Sequence, residues 1–319
     1  MPGLGPSIAK MDPAVGIINP QQACPLFSTL PGEIRTSIFE LALTSYDDVE
    51  KPYRADRTYY RPGYHYHQKV DWSLLLTCQR IYYETRLLPV ALNEHSFWLF
   101  NGPWMSIGHT SQRTANWGAW FSSLNPDQKG AVRRVHIFAQ QYFLEQLGLR
   151  KDAARLNFDT NQLRLTFRHS DWWSWQSPVE SSDRLGICPW ISQRVSCQRM
   201  LAEPLQPDLA FIEARMNGGT WGWQICHVNR LELLEIEFEI DVVKKEQLQT
   251  VLERARHWKF PISQGRAVLE WTGELREYSW QGLADVKNEY QRLKETPVKE
   301  GAMRTYYVAI MVWKKVNRE

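Results

Sequence analysis

Leu231-Glu232-Leu233-Leu234-Glu235-Ile236-Glu237-Phe238-Glu239-Ile240 is the clearest strand in the chain. From Leu233 on, a period of two puts Leu234, Ile236, Phe238 and Ile240 on one face and Glu235, Glu237 and Glu239 on the other. Such a strand packs one side and turns the other to solvent or to basic neighbours. The alternating glutamates read as a solvated face, not as paired catalytic carboxylates. Asp241 follows as a helix cap, and Leu248, Val251, Leu252, Ala255 and Trp258 recur at helical spacing to form a buried stripe.

Strands are predicted on the same grounds at 132–138, 163–167, 267–271 and 305–313, with a helix near 283–294. Leu163, Leu165 and Phe167 alternate with Arg164 and Arg168. In the last strand Tyr306, Val308, Ile310 and Val312 share one face and Tyr307, Ala309, Met311 and Trp313 the other, so it is covered on both sides. Residues 192–216 fit one or two helices broken near Pro204 and Pro207, while 171–190 are irregular. The expected class is α+β: a helical N-terminal segment packed on, or followed by, a mixed sheet-and-helix body at 102–319.

The N-terminal part reads differently. Residues 1–22 suit a flexible leader rich in Gly and Pro. A first helix starts at Pro31, whose fixed φ suits a first helical position, with Glu33 in the first turn and Leu30, Ile34, Ile38 and Leu41 as its buried stripe. Residues 45–70 are rich in tyrosine and show no period, which predicts a long insertion or loop. Asp71 caps a second helix with Leu75, Cys78, Tyr82 and Thr85 on one face, limited by Pro89, and a short strand follows at 96–100.

Composition excludes several classes. The charge, 38 basic against 35 acidic residues for a net +3, does not suit a dedicated nucleic-acid binder. The densest basic stretch, Lys129 to Arg168, holds Arg133, Arg134, Arg150, Lys151, Arg155 and Arg164, but Glu145, Asp152 and Asp159 interrupt it, so it reads as a solvated face. The odd count of 5 cysteines, with no C-x-x-C pair, suits buried reduced thiols; with no signal peptide or apolar span, cytoplasm or nucleus is the expected compartment. Of the 15 tryptophans, most are expected in the core. No phosphate loop, dinucleotide fingerprint or nucleophile elbow is present. His65 and His67 read as loop histidines without the further ligands a metal needs, and Cys226-His227 as a buried thiol beside a histidine.

Two Glu-x-Arg triplets carry a family resemblance. The first is Glu33-Ile34-Arg35, within Leu30-Pro31-Gly32-Glu33-Ile34-Arg35, and the second is Glu84-Thr85-Arg86, after Leu74-Leu75-Leu76-Thr77-Cys78. Over residues 24–101 the chain resembles the two-EXR domain of filamentous-fungal proteins, an F-box-like family. The resemblance implies a helical docking module, and F-box modules recruit a ubiquitin-ligase adaptor through their helices. The cullin-ligase adaptor is thus the implied partner, and the insertion at 45–70 is a departure expected to break up the docking surface. More loosely, the Leu233–Glu239 strand and the helix after it are similar to regions that accompany this domain.

Positions i and i+2 lie about 200° apart on a helix, so Glu and Arg of one triplet cannot both face the other helix. One inter-helix pair is expected, Arg35 with Glu84 or Glu33 with Arg86. The reading is a non-enzymatic protein-interaction module without cofactor, metal site or catalytic residue. Its interaction or helix-pairing residues are Leu30, Pro31, Glu33, Ile34, Arg35, Leu75, Cys78, Tyr82, Glu84 and Arg86. The alternative is an enzyme or small-molecule binder with a site in the body lined by Trp172, Trp173, Trp175, Trp221 and Trp223.

Overall fold

The computed structural model describes residues 18–57, 59–99, 102, 120–145, 159–217, 219–228, 230–262, 265–284 and 303–318. Most of the expected leader lies outside them, as do Phe100, Trp104, Trp117, Arg150, Lys151, Asp152 and Arg155, and all but the first residues of the helix expected at 283–294.

The class is α+β. The chain opens with α1 (Pro25–Ser28) and α2 (Gly32–Leu43), and then forms β1 (Tyr46–Pro52) and β2 (Tyr66–Lys69), an antiparallel pair. A 3-10 turn (Ser73–Leu76), α3 (Gln79–Thr85) and α4 (Leu88–Leu92) lead to β3 (Glu94–Trp98). The body adds α5 (Pro126–Ala131), β4 (Arg134–Phe138), α6 (Gln141–Glu145), β5 (Gln162–Phe167), α7 (Cys197–Ala202), α8 (Leu209–Arg215) and α9 (Trp221–Cys226). Then come β6 (Leu233–Asp241), α10 (Lys245–Ala255), β7 (Lys259–Ile262), β8 (Ala267–Leu283) and β9 (Met303–Asn317).

A mixed seven-stranded sheet in the order β3-β4-β5-β6-β9-β8-β7 is the frame. β3 to β6 run parallel to one another, and β9, β8 and β7 complete the sheet by antiparallel pairing. Its first strand comes from the N-terminal part, so residues on either side of position 101 share one sheet. The apolar face of β6 is fully buried, together with Leu248, Val251, Leu252 and Ala255 of α10 and Trp258 beyond it. Each buried Leu, Ile, Val or Phe side chain among them contributes about 1.5–3 kcal/mol. Asp241 accepts a hydrogen bond from Val243 N (3.1 Å), opening a 3-10 turn just before α10. Both faces of β9 are covered, since Tyr306 through Trp313 are all buried.

Three expectations are corrected. The first concerns α2, where Ile34, Ile38 and Leu41 are 51%, 43% and 79% exposed and the inward residues are Phe39 and Leu43. Asn93 fixes that rotation: its Nδ2 donates to Leu43 O (2.9 Å) and Pro89 O (2.8 Å), and its Oδ1 accepts from Ser45 N (2.6 Å). The larger Phe39 takes the inner position, on the same side as Arg35 four residues earlier.

Second, the segment expected as one helix is two pieces. Asp71 Oδ1 accepts from Ser73 N (2.9 Å) to start the 3-10 turn, and Cys78, in extended conformation, separates it from α3. Leu75, Ile81 and Thr85 are buried, whereas Cys78 and Tyr82 are only half-buried. Third, residues 45–70 are not a featureless loop, because β1 and β2 pair within them. Arg61-Pro62-Gly63-Tyr64 closes a tight turn, with Tyr64 N donating to Arg61 O (2.9 Å). Proline at the second position and Gly63 at φ +78° at the third are what a type II turn requires.

Candidate functional site

Two surfaces are built by these elements, one on the helices and one on the polar face of the sheet.

On the helices, Arg35 Nε donates to Glu84 Oε2 (2.9 Å), joining the two triplets across 49 positions of sequence. Arg80 binds the other oxygen, Glu84 Oε1, at 3.0 Å, and the guanidinium groups of Arg35 and Arg80 both lie over the Phe27 ring. Arg86 instead reaches Asp127 of α5 at 3.3 Å, while Glu33 stays exposed in the first turn of α2. Pro31 caps α2 and Leu30 is half-buried beneath Arg35. The outer face of α2 then presents Ile34, Ile38 and Leu41 at i, i+4 and i+7, an apolar stripe open to solvent. Sequence reasoning named Ile34 for this segment but placed it inside.

On the sheet, register gathers the polar side chains. Ser96, His136, Arg164 and Glu235 stand side by side on β3, β4, β5 and β6, and the next row includes Thr166 and Glu237. Glu237 and Glu239 are only 1% and 2% exposed, so the expectation of a solvated glutamate face is corrected. The residues that bury it come from the insertion and from neighbouring strands. Arg61, at the start of the Pro-Gly turn, binds Glu237 Oε1 through Nη2 and approaches Glu239 Oε2 at 3.2 Å. Arg164 binds Glu237 Oε2 through Nη2, and its Nε lies 2.9 Å from Glu235 Oε1. Tyr64 Oη sits 2.6 Å from His136 Nδ1, whose ring reaches Thr166 Oγ1 through Nε2 at 2.7 Å.

The charges follow from these contacts. Burial would raise the Glu237 carboxyl, but Arg61 and Arg164 hold it below the usual range. Burial is likewise outweighed at Glu239, which Arg61 and His169 bring down to about 2, and at Glu94, which His136 and Arg164 bring to about 2. Burial lowers His136, and it raises Tyr64. Carboxylates held this low are weak bases near neutral pH. They suit an ion-paired lattice that fastens the insertion to the sheet.

The rings named for the alternative site do not line the two cavities found beside Arg61. Trp172 and Trp221 are buried among other rings, with Trp221 5.6 Å edge-on to Trp258. Burial pushes the Cys188 thiol up to about 12 and Cys226 higher still, so neither is a thiolate near neutral pH. Among the described residues no group of three or more His, Cys, Asp or Glu is placed to hold a metal ion, and no helix is long and apolar enough to cross a membrane.

Arg61, Tyr64, His136 and Glu94 are not recognisable from the sequence as members of one site. The available signal was the Glu-x-Glu-x-Glu face itself, whose charge calls for arginines. The partner lies 176 positions away on a segment without a period. Comparison with family models, with curated proteins and with solved structures finds no match for this chain.

Proposed function

We propose that the chain is a non-enzymatic protein-interaction module whose α2 face docks a ubiquitin-ligase adaptor of the cullin type. The observation that carries this reading is the exposed stripe Ile34, Ile38 and Leu41, lying within the segment that resembles the F-box-like two-EXR domain. An apolar stripe held out on a helix is the surface an interface core uses. The Arg35–Glu84 pair and the Asn93 clasp favour the same reading, because they set the helix with this face outward. The tyrosine-rich insertion folds onto the sheet and leaves the stripe uncovered.

The test is retention of a purified cullin-ligase adaptor subunit by the full chain, compared with an Ile34→Glu/Ile38→Glu/Leu41→Glu variant. The adaptor is retained by the parent chain and lost by the variant, at an unchanged unfolding midpoint. No retention, or equal retention by both, overturns the reading. So does a dimer of the parent chain in sedimentation that the variant abolishes, since the face then belongs to a second copy.

A further inference from the structure

Arg61 is shared by two cavities on the polar side of the sheet. The larger, about 380 Å3, has Arg61 and Arg164 against Glu94 and Glu237, so its fixed charges cancel. The smaller, about 280 Å3, is bordered by Arg57, Arg61 and Arg168, with Glu239 as the carboxylate in its wall. Asp171 engages Arg168 through both oxygens (2.8 and 3.0 Å), and Asp56 lies 3.8 Å from Arg57. Glu239 is itself held by Arg61, by Trp280 Nε1 (3.2 Å) and by the backbone N of His169 (3.2 Å).

The arginine at the centre is only partly satisfied. Arg61 is 2% exposed; its Nη2 makes both glutamate contacts and the guanidinium also interacts with the Tyr278 hydroxyl, while Nε and Nη1 have no well-aligned hydrogen-bond partner among the described residues. Buried donors without acceptors are costly, and a carboxylate or phosphate oxygen is the acceptor that a guanidinium fork binds best. The remaining wall combines the rings of Tyr60, His169, Trp280 and Tyr306 with Leu283 and Met303. Trp280 and Tyr306 have ring centroids 4.8 Å apart, His169 lies 4.4 Å from Tyr306, and Tyr306 Oη donates to Leu283 O (2.9 Å). Gly282 sits between these rings: a Cβ there would come within 2.5 Å of a Trp280 ring carbon and 2.9 Å of Tyr306. Any side chain at 282 displaces the wall.

We propose that the smaller cavity binds a small aromatic anion, its flat ring against Trp280 and Tyr306 and its carboxylate or phosphate on Arg61 and Arg57. A few convergent polar donors on an otherwise largely apolar wall are what such sites use, and the volume limits the ligand to a small one. This site is independent of the α2 face and stands or falls apart from it.

Calorimetric titration of the full chain tests it, with 1-naphthoate, 1-naphthyl phosphate and the neutral 1-naphthamide as probes. At least one anion binds saturably at one per chain, the amide binds at least about tenfold more weakly, and the better anion identifies the headgroup. Arg57→Ala, which leaves Arg61 and its glutamate pairs in place, weakens the anion about tenfold, and Gly282→Val weakens it further. Failure of both anions, equal binding of the amide, or unchanged affinity in a folded Arg57→Ala chain overturns the proposal.

Discussion

The outer face of α2 and the glutamate face of β6 are mirror cases. Each belongs to an amphipathic element with a clean period, and each ended on the side opposite to its chemistry. Three apolar residues on α2 are exposed, while two glutamates on β6 are buried nearly as deeply as the leucines behind them. A period establishes that an element has two faces; which of them is covered depends on what the rest of the chain supplies. β6 was supplied with arginines by the insertion and by β5, and α2 was turned by the bulk of Phe39 and the Asn93 clasp.

The comparison breaks most decisively at Arg61. Arg61→Met leaves Glu237 and Glu239 buried without their shared cation and costs about 3–5 kcal/mol in denaturant unfolding. Adding Glu237→Gln and Glu239→Gln recovers part of the loss; a cost within about 0.5 kcal/mol for the single variant would mean that the glutamate face is open. On α2, Phe39→Ala costs about 3–5 kcal/mol, whereas Ile38→Ala, one position away, stays within about 0.5 kcal/mol.

The pH dependence sharpens the same contrast. Glu239 is held at about 2 against an ordinary 4.5, so its stabilisation is present above pH 4.5 and is lost as pH falls from 4.5 toward 2. Glu145 is the opposite case: burial lifts it to about 7, although Trp173 Nε1 and Gln141 Nε2 both donate to it. Its contribution is full below pH 4.5 and is lost as pH rises through 7. Unfolding midpoints measured from pH 4.5 to 8 fall in the parent chain, and Glu145→Gln flattens that fall. The smallest effect belongs to the partly exposed Arg35–Glu84 pair, for which a double-mutant cycle gives a coupling of about 0.5 kcal/mol.

Much of the sheet was legible. The β6 alternation, the α10 stripe and the doubly covered β9 each carry a strong local signal. The extent of β8 was not, because residues 272–281 are largely exposed and resemble a loop, although pairing with β9 resumes at Leu275 after a bulge. The candidate sites were legible only in part. Helical geometry called for one inter-helix pair and left Arg35–Glu84 and Glu33–Arg86 open, whereas Arg61 lies in a turn, where nothing local distinguishes a buried cation from a solvated one. Its role follows from a partner brought near by folding.

Hydroxyl-radical footprinting of the dilute, adaptor-free chain tests the central claim most directly, since it reads both faces of α2 in one peptide. Ile34, Ile38 and Leu41 are modified readily while Phe39 and Leu43 are protected, and adding the adaptor protects the first set alone. Protection of Ile38 and Leu41 to the level of Phe39 in the free monomer would contradict the account.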